Sequence, residues 1–369
     1  MTDPRIEKLA RILVDYSTRI QPGDRVFIEA TQAAESLVNE LYVQILAKGG
    51  YPHPLIWNFP SQDVLFLKYA SDSQLDFLPT FEKIAYDQFE ARIRIHSSTN
   101  THALTSIDPA RLKRRAKALS PILETQMRRG AEGSLKWVTT LFPTEAYAMD
   151  AELSLMDYQD FVFRACHANE ADPIAFWRSV EKKQATAVEW INGHDHVVLR
   201  GPNVDLTLSI KDHTFLNSFG THNMPDGEIF TSPVEETVNG WVRFTYPAVY
   251  KGMIVEGVEL TFRDGRVVQA SATKNEAFML EMLESDSGAR FVGEFAIGTN
   301  FEIDRFTKNI LFDEKIGGTF HMALGAGYPD TGSKNKSAIH WDMICDMRKD
   351  SEILVDGEIF YRNGEFALK

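Results

Sequence analysis

Apolar and polar positions follow two different rhythms along this chain. In the first half helical and extended patterns alternate. Ile6, Leu9, Leu13 and Val14 form one stripe of a helix from Asp3 to Ser17, and the pair Pro22-Gly23 closes it. The short apolar run Arg25 to Ala30 (RVFIEA) reads as a strand, Ala33 to Ala47 as a helix stopped by Gly49-Gly50, and His53 to Trp57 as a second strand. Further strand-like runs, Ala91 to His96 and Leu135 to Leu141, alternate with helical segments, which predicts an α/β N-terminal domain with a mostly parallel sheet. One of those helical segments opens at Asp108-Pro109 and carries the basic run Arg111 to Ala118, read as a solvated helix face rather than a binding patch.

Past the helix Pro173 to Ile191, which ends at Asn192-Gly193, strands joined by tight turns take over. They are His196 to Leu199, Val204 to Ile210, Val258 to Arg263 with Arg266 to Thr273 across Asp264-Gly265, and Ile353 to Val355 with Glu358 to Arg362 across Asp356-Gly357. One helix, from about Asn275 to Leu283, interrupts them. The expected organisation is therefore an α/β domain over residues 1–192 and a mainly β (α+β) domain over residues 193–369. Near the end, Ser337 to Met347 alternates strictly: Ile339, Trp341, Met343, Cys345 and Met347 share one face, which calls for burial, while His340, Asp342 and Asp346 share the other.

Composition narrows the function classes. At 369 residues, 44% hydrophobic and 25% charged, the chain is long enough for two domains with ordinary globular cores. No run approaches the roughly 18 apolar residues of a membrane helix, the N-terminal stretch lacks an apolar signal core, and Cys166 and Cys345 are the only cysteines, so a cytoplasmic protein without disulfides is expected. With 39 Lys plus Arg against 52 Asp plus Glu, the net charge of -13 repels nucleic acid and favours cationic ligands such as divalent metals or free amino groups. TQAAES follows the first strand where a dinucleotide site would carry its glycines, and no Gly-x-Ser-x-Gly nucleophile elbow occurs.

The chemistry that remains is metal ligation. His340 and Asp342, two positions apart on one strand face and roughly 6 to 7 Å apart at the backbone, can hold one ion, though a solvated edge strand also carries such pairs. Four further donors lie in the same half. Glu228 leaves the turn NMPDG, Glu294 sits in the apolar run FVGEFAIG where a lone carboxylate needs a partner, Glu314 precedes a glycine turn, and His321 lies in TFHMALG. Singly each has an ordinary explanation, as a turn residue, a salt-bridge partner, a surface charge and a hydrogen-bonded core histidine. Together they make a mixed oxygen and nitrogen shell suited to Zn²⁺, Co²⁺ or Mn²⁺ and too rich for one ion, which points to a two-metal hydrolase. His194-Asp195-His196 reads as a linker.

The segments NMPDGEIFTSP, the glycine-preceded Glu294, FDEKIGGTFHMALGAGYP and NKSAIHWDMICDM resemble the thermophilic aminopeptidase family, dinuclear metallo-aminopeptidases of the T and S type. The resemblance spans nearly the whole chain and is most specific over residues 223–347. It implies that Glu228, Glu294, Glu314, His321, His340 and Asp342 coordinate two divalent metal ions, and that Tyr328, in the loop GAGYPDTG, is the catalytic tyrosine. It further implies peptide substrates with a free N-terminus and a homodimer enclosing its active sites in a shared cavity. A two-metal amidase or esterase, or a metal-stabilised peptide-binding protein without turnover, would use the same donors.

Overall fold

A computed structural model describes residues 3–57 and 61–368. The chain forms two compact units, Met1–Phe176 with Gly220–Pro225, and Trp177–Phe219 with Asp226–Lys369. This differs from a boundary after residue 192 in two ways. The helix Pro173–Ile191 sends Ala187 and Ile191 into the core of the second unit, so the division precedes most of that helix. The later strand Asn223–Met224 joins the sheet of the first unit, pairing parallel with Thr139 and Thr140.

In the first unit the sheet is parallel throughout, in the order Tyr51–Trp57, Arg25–Thr31, Ala91–His96, Lys136–Leu141 and Asn223–Met224. Val26, Phe27 and Ile28 are fully buried, as expected of a strand covered on both faces. The opening helix Pro4–Arg11, capped by the Asp3 side chain, continues as a π-helical turn from Ile12 to Ser17. The helix Pro109–Ala131 starts where Asp108-Pro109 places it, with Asp108 accepting from the Ala110 amide at 2.8 Å. Its basic run is put to structural use rather than simply solvated. Arg114 pairs with Asp72 and Asp76, each at 2.6 Å, while Arg111 donates to the carbonyls of Leu67 and Ala70 and Arg115 to those of Leu75 and Phe77. Those arginines satisfy carbonyls at the ends of the short helices Gln62–Tyr69 and Asp72–Leu75, which their own hydrogen bonding leaves open.

Two strands of this sheet carry charge into the interior. Glu29 stands opposite Arg94 in register, and its carboxylate receives a two-pronged contact from Arg94 at 3.0 and 3.1 Å and a bond from the buried Arg92 at 2.6 Å. Burial pushes the Glu29 carboxyl up, but the two guanidinium groups outweigh it and hold the group below its usual range.

The second unit is antiparallel. Eight strands run in the order Arg266–Ser271, Glu259–Arg263, Asn239–Arg243, Val204–Ser209, His196–Gly201, Glu352–Val355, Glu358–Arg362 and Glu365–Phe366. A separate five-stranded sheet has the order His340–Asp346, Thr319–Gly325, Val292–Gly298, Glu228–Thr231 and Leu216–Ser218. One core joins them: Leu199, Leu206, Val242 and Leu260 from the large sheet meet Phe295, Phe320, Met322, Trp341, Met343 and Cys345 from the small one. Met279 and Leu283 of the helix Glu276–Leu283 complete it. Cys166 and Cys345 are both buried and neither is in a disulfide.

Removing one partner of the Glu29 cluster leaves buried Arg92 uncompensated, so Glu29→Gln should cost about 3–5 kcal/mol in denaturant unfolding. Because the folded chain holds this carboxyl below its unfolded value, its contribution is complete above the ordinary glutamate pKa of about 4.3 and lost as pH falls below it. The stability gap between wild type and variant should therefore close in acid.

Candidate metal centre

Strand register determines which side chains meet on the small sheet. Residues opposite one another in a ladder project to the same face. His340 is opposite Gly325, Asp342 opposite Ala323, Ala323 opposite Glu294, His321 opposite Ala296, and Glu228 opposite Gly298. Glu228, Glu294, His321, His340 and Asp342 therefore share one face, with the small residues Gly298, Ala296, Ala323 and Gly325 among them and Ile344 and Phe230 on the same side. The neighbours on each strand point the other way into the core, so the expected alternation of the last strand holds over His340–Asp346.

Glu294 reaches this face through an irregularity. Val292 pairs with Leu324, yet Glu294 pairs with Ala323, so Gly293 is an extra residue bulged out of the ladder. In an unbroken strand Val292 and Glu294 would face the same way; with the bulge, Val292 enters the core and Glu294 joins the ligand face. A Cβ at position 293 would collide with the carbonyl groups of Gly325 and Ala326, which explains the glycine. Glu228 is positioned by the turn before it, where Asp226 accepts from the Gly227 amide and the Ser218 hydroxyl, each at 2.9 Å, and Asn300 donates to the Asp226 carbonyl at 2.9 Å. Glu314 arrives from outside the sheet, directly after the short helix Ile310–Asp313 capped by Asn309.

All six donors converge. Three groups of potential ligand atoms lie within 4.8 Å of one another: Glu228, Glu294 and His321; Glu294, His340 and Asp342; Glu314, His321 and Asp342. His321 Nε2 stands 3.5 Å from Glu228 Oε2 and 3.8 Å from Glu294 Oε1, while His340 Nε2 stands 3.2 Å from Glu294 Oε2 and 3.5 Å from Asp342 Oδ1. The two oxygens of Glu294 are thus divided between the two imidazoles. His340 Nδ1 lies 2.7 Å from the Ala326 carbonyl, which can only accept, so that nitrogen carries a proton and Nε2 is the atom turned to the carboxylates.

The charges answer one another. Burial pushes the Glu228 carboxyl up to about 8 and raises Glu314 as well. Burial also opposes ionisation of Glu294 and Asp342, but the imidazoles prevail, holding Glu294 below its usual value and Asp342 at about 2. Burial likewise works against charge on the histidines, and the surrounding carboxylates overcome it, raising His321 to about 9 and His340 to about 12.

Three buried atoms of the cage, Glu228 Oε2, His321 Nδ1 and Asp342 Oδ1, have no hydrogen-bond partner among the described residues. An unpaired buried polar atom costs about 1–3 kcal/mol. The two carboxylate oxygens face imidazole nitrogens at 3.5 Å, too far for good hydrogen bonds and suited to sharing a cation, so the donor set fits divalent metal.

Tyr328 stands beside the cage, its ring 5.4 Å from that of His340 and 5.5 Å from that of Phe230, with 38% of the residue exposed. The charge on Glu294, followed by burial, raises its phenol well above the usual value, so it remains a protonated donor. His194 is elsewhere, stacked on Trp190 at 4.8 Å. Pattern alone gives no warning of Lys315, whose run Asp313-Glu314-Lys315 looks like surface charge although the lysine is fully buried and touches Glu314. Its flanking apolar residues Leu311, Phe312 and Ile316 are the one available signal.

Residues 2–366 match the family model for thermophilic metalloprotease (M29). Aminopeptidase 2 of Geobacillus stearothermophilus is 27% identical over 100% of this chain and 98% of its own length. Aminopeptidase PepS of Streptococcus thermophilus is 26% identical, with 98% of each chain covered. In fold the chain resembles wild-type AmpT from Thermus thermophilus, with a TM-score of 0.86, 23% identity and 99% of both chains covered.

If Gly293 sets the Glu294 register, Gly293→Ala should destabilise by about 1–3 kcal/mol through overpacking against the two carbonyls. Its bound metal should fall with it, read by elemental analysis of the folded fraction; unchanged stability and metal content would remove the bulge from the account of the site.

Proposed function

This chain belongs to the thermophilic metalloprotease (M29) family, and from that premise we propose that it is a metallo-aminopeptidase that removes N-terminal residues from peptides. The observation that carries the reading is the position of Glu294, a member of two ligand groups with one oxygen near each histidine. Glu228, Glu294, Glu314, His321, His340 and Asp342 would hold two divalent ions, with Glu294 common to two of the donor groups. Zn²⁺, Co²⁺ and Mn²⁺ all suit this donor set.

Divalent ions held there would polarise the scissile carbonyl and lower the pKa of a bound water enough to furnish hydroxide near neutral pH. The chain's own contributions follow from its geometry. The excess of carboxylates attracts a protonated peptide N-terminus, consistent with the net charge of -13. The Ala326 carbonyl keeps His340 oriented with Nε2 inward. Tyr328, protonated and half-exposed at the edge of the cage, is placed to donate to the oxygen of the carbonyl as it becomes tetrahedral. A carboxylate near the ions, Glu294 or another, would carry the proton to the leaving amine.

We further infer a homodimer and a cytoplasmic setting. Two buried cysteines outside any disulfide suit a reducing compartment, and no helix among the described residues is long and apolar enough to cross a membrane. Sedimentation should give a species of twice 41.8 kDa.

A panel of amino-acid p-nitroanilides and short peptides, assayed with and without chelator, tests the activity. Metal-dependent release of N-terminal residues is expected; hydrolysis confined to other amides or esters would redirect the reading to a different hydrolase, and binding without turnover would end it. Tyr328→Phe should keep its metal content and KM while kcat falls roughly 10² to 10³-fold, the usual loss for one oxyanion donor. An unchanged kcat would return Tyr328 to a packing role. Glu294→Gln should bind fewer ions than wild type.

A further inference from the structure

The cage contains a cation of its own. Lys315 is fully buried, with its ammonium 3.4 Å from Glu228 Oε1 and in direct contact with Glu314 Oε1. Its backbone is fixed on both sides: its amide donates to the Phe312 carbonyl at 2.9 Å and its carbonyl accepts from the Asn300 amide at 3.0 Å. This segment lies directly over Gly298, where a Cβ would run into the Ile316 carbonyl, and Gly298 is the residue opposite Glu228 in the ladder. The backbone that carries the lysine is therefore held beside Glu228. The two oxygens of that carboxylate are divided, Oε1 towards Lys315 and Oε2, without a hydrogen-bond partner, towards His321 at 3.5 Å.

Charge balance gives this arrangement a purpose. Glu228, Glu294, Glu314 and Asp342 place four carboxylates in one cage, and a buried cluster of like charges is tolerated only when opposite charges stand among them. His340 faces Glu294 most closely, at 3.2 Å, and His321 stands between Glu228 at 3.5 Å and Glu294 at 3.8 Å, while Lys315 alone stands against both Glu228 and Glu314.

We propose that Lys315 is a positioning residue of the metal centre: a fixed internal cation that aims the second oxygen of Glu228 and the carboxylate of Glu314 at the ions, and holds the cage together when the ions leave. This rests on the metal-centre reading above. Lys315 touches neither substrate nor ion in this role. Its effect passes through the two glutamates, and it should weigh most on the metal-depleted protein, where no other cation offsets them.

The test compares full-length wild type and Lys315→Met, each metal-loaded and chelator-treated, by thermal unfolding and elemental analysis. Lys315→Met should bind as many ions as wild type, and its Tm should fall further in the chelated form than in the loaded form, by about 5 °C or more. Adding Glu314→Gln to Lys315→Met should recover part of the chelated-form loss, because it removes the charge left unanswered. Equal Tm losses in both forms would reduce Lys315 to packing and overturn the proposal. An additional ion bound by Lys315→Met would also overturn it, since the lysine would then be standing where an ion belongs. Should Lys315→Met fail to fold, Lys315→Gln, which keeps a hydrogen-bond donor without the charge, carries the same comparison. A wild type that binds no divalent ion, with a Tm indifferent to chelator, sinks the metal reading itself and is distinguished by that protein's own metal content.

Discussion

Four carboxylates on one side of a five-stranded sheet must have their charge answered inside the fold. Water cannot do it, because Glu228 and Glu294 are almost wholly buried, and an unanswered charge there would cost more than most domains can spare. Much of the surrounding architecture follows from that need. Among the ladder partners of these donors are Gly298, Ala296, Ala323 and Gly325, which leave room between the donors for opposite charge. Two imidazoles enter from the adjoining strands, and a lysine is brought over the sheet on a segment that only a glycine beneath it permits. The reverse face of the same strands supplies Phe295, Phe320, Met322 and Trp341 to the core, so the cage rests directly on that core.

The period of two along a strand made part of this site legible in advance. His340 and Asp342 could be placed on one face because Trp341, Met343 and Cys345 so clearly demanded the other, and Glu294 drew notice as a carboxylate in an apolar run. The same rule applied to Glu294 would have misplaced it. Val292 and Glu294 are two apart and face opposite ways, and only the ladder, with Gly293 bulged against two carbonyls, reveals why. Lys315 was hidden for a different reason: a run of charged residues looks solvent-facing until the close approach of two distant segments covers it.

At the level of the fold, the α/β and β-rich halves were legible because helical and strand periods separate cleanly along the chain. Their division was harder to read. The residues Asn192-Gly193 end a helix, and a helix end resembles a domain end in sequence; but Ala187 and Ile191 belong to the second core, and Asn223–Met224 returns to the first sheet. The basic helix face was misjudged similarly. Arg111 and Arg115 look like solvated charge until the short helices whose carbonyls they satisfy are in place. Non-local pairing decided each of these cases, and periodicity carries no record of it.

The distribution of the two cysteines has a practical consequence. Cys166 lies in the first unit, and Cys345 lies in the second, on the strand that carries His340 and Asp342 but facing the opposite way, its sulfur 3.5 Å from the Arg243 carbonyl. Burial pushes the Cys345 thiol up to about 12 and that of Cys166 higher still, so neither is a ready nucleophile while its unit stays closed. The protein thus carries one natural reporter in each unit, and the rates at which the two sulfurs become alkylated would time the opening of each core separately, without any engineered label.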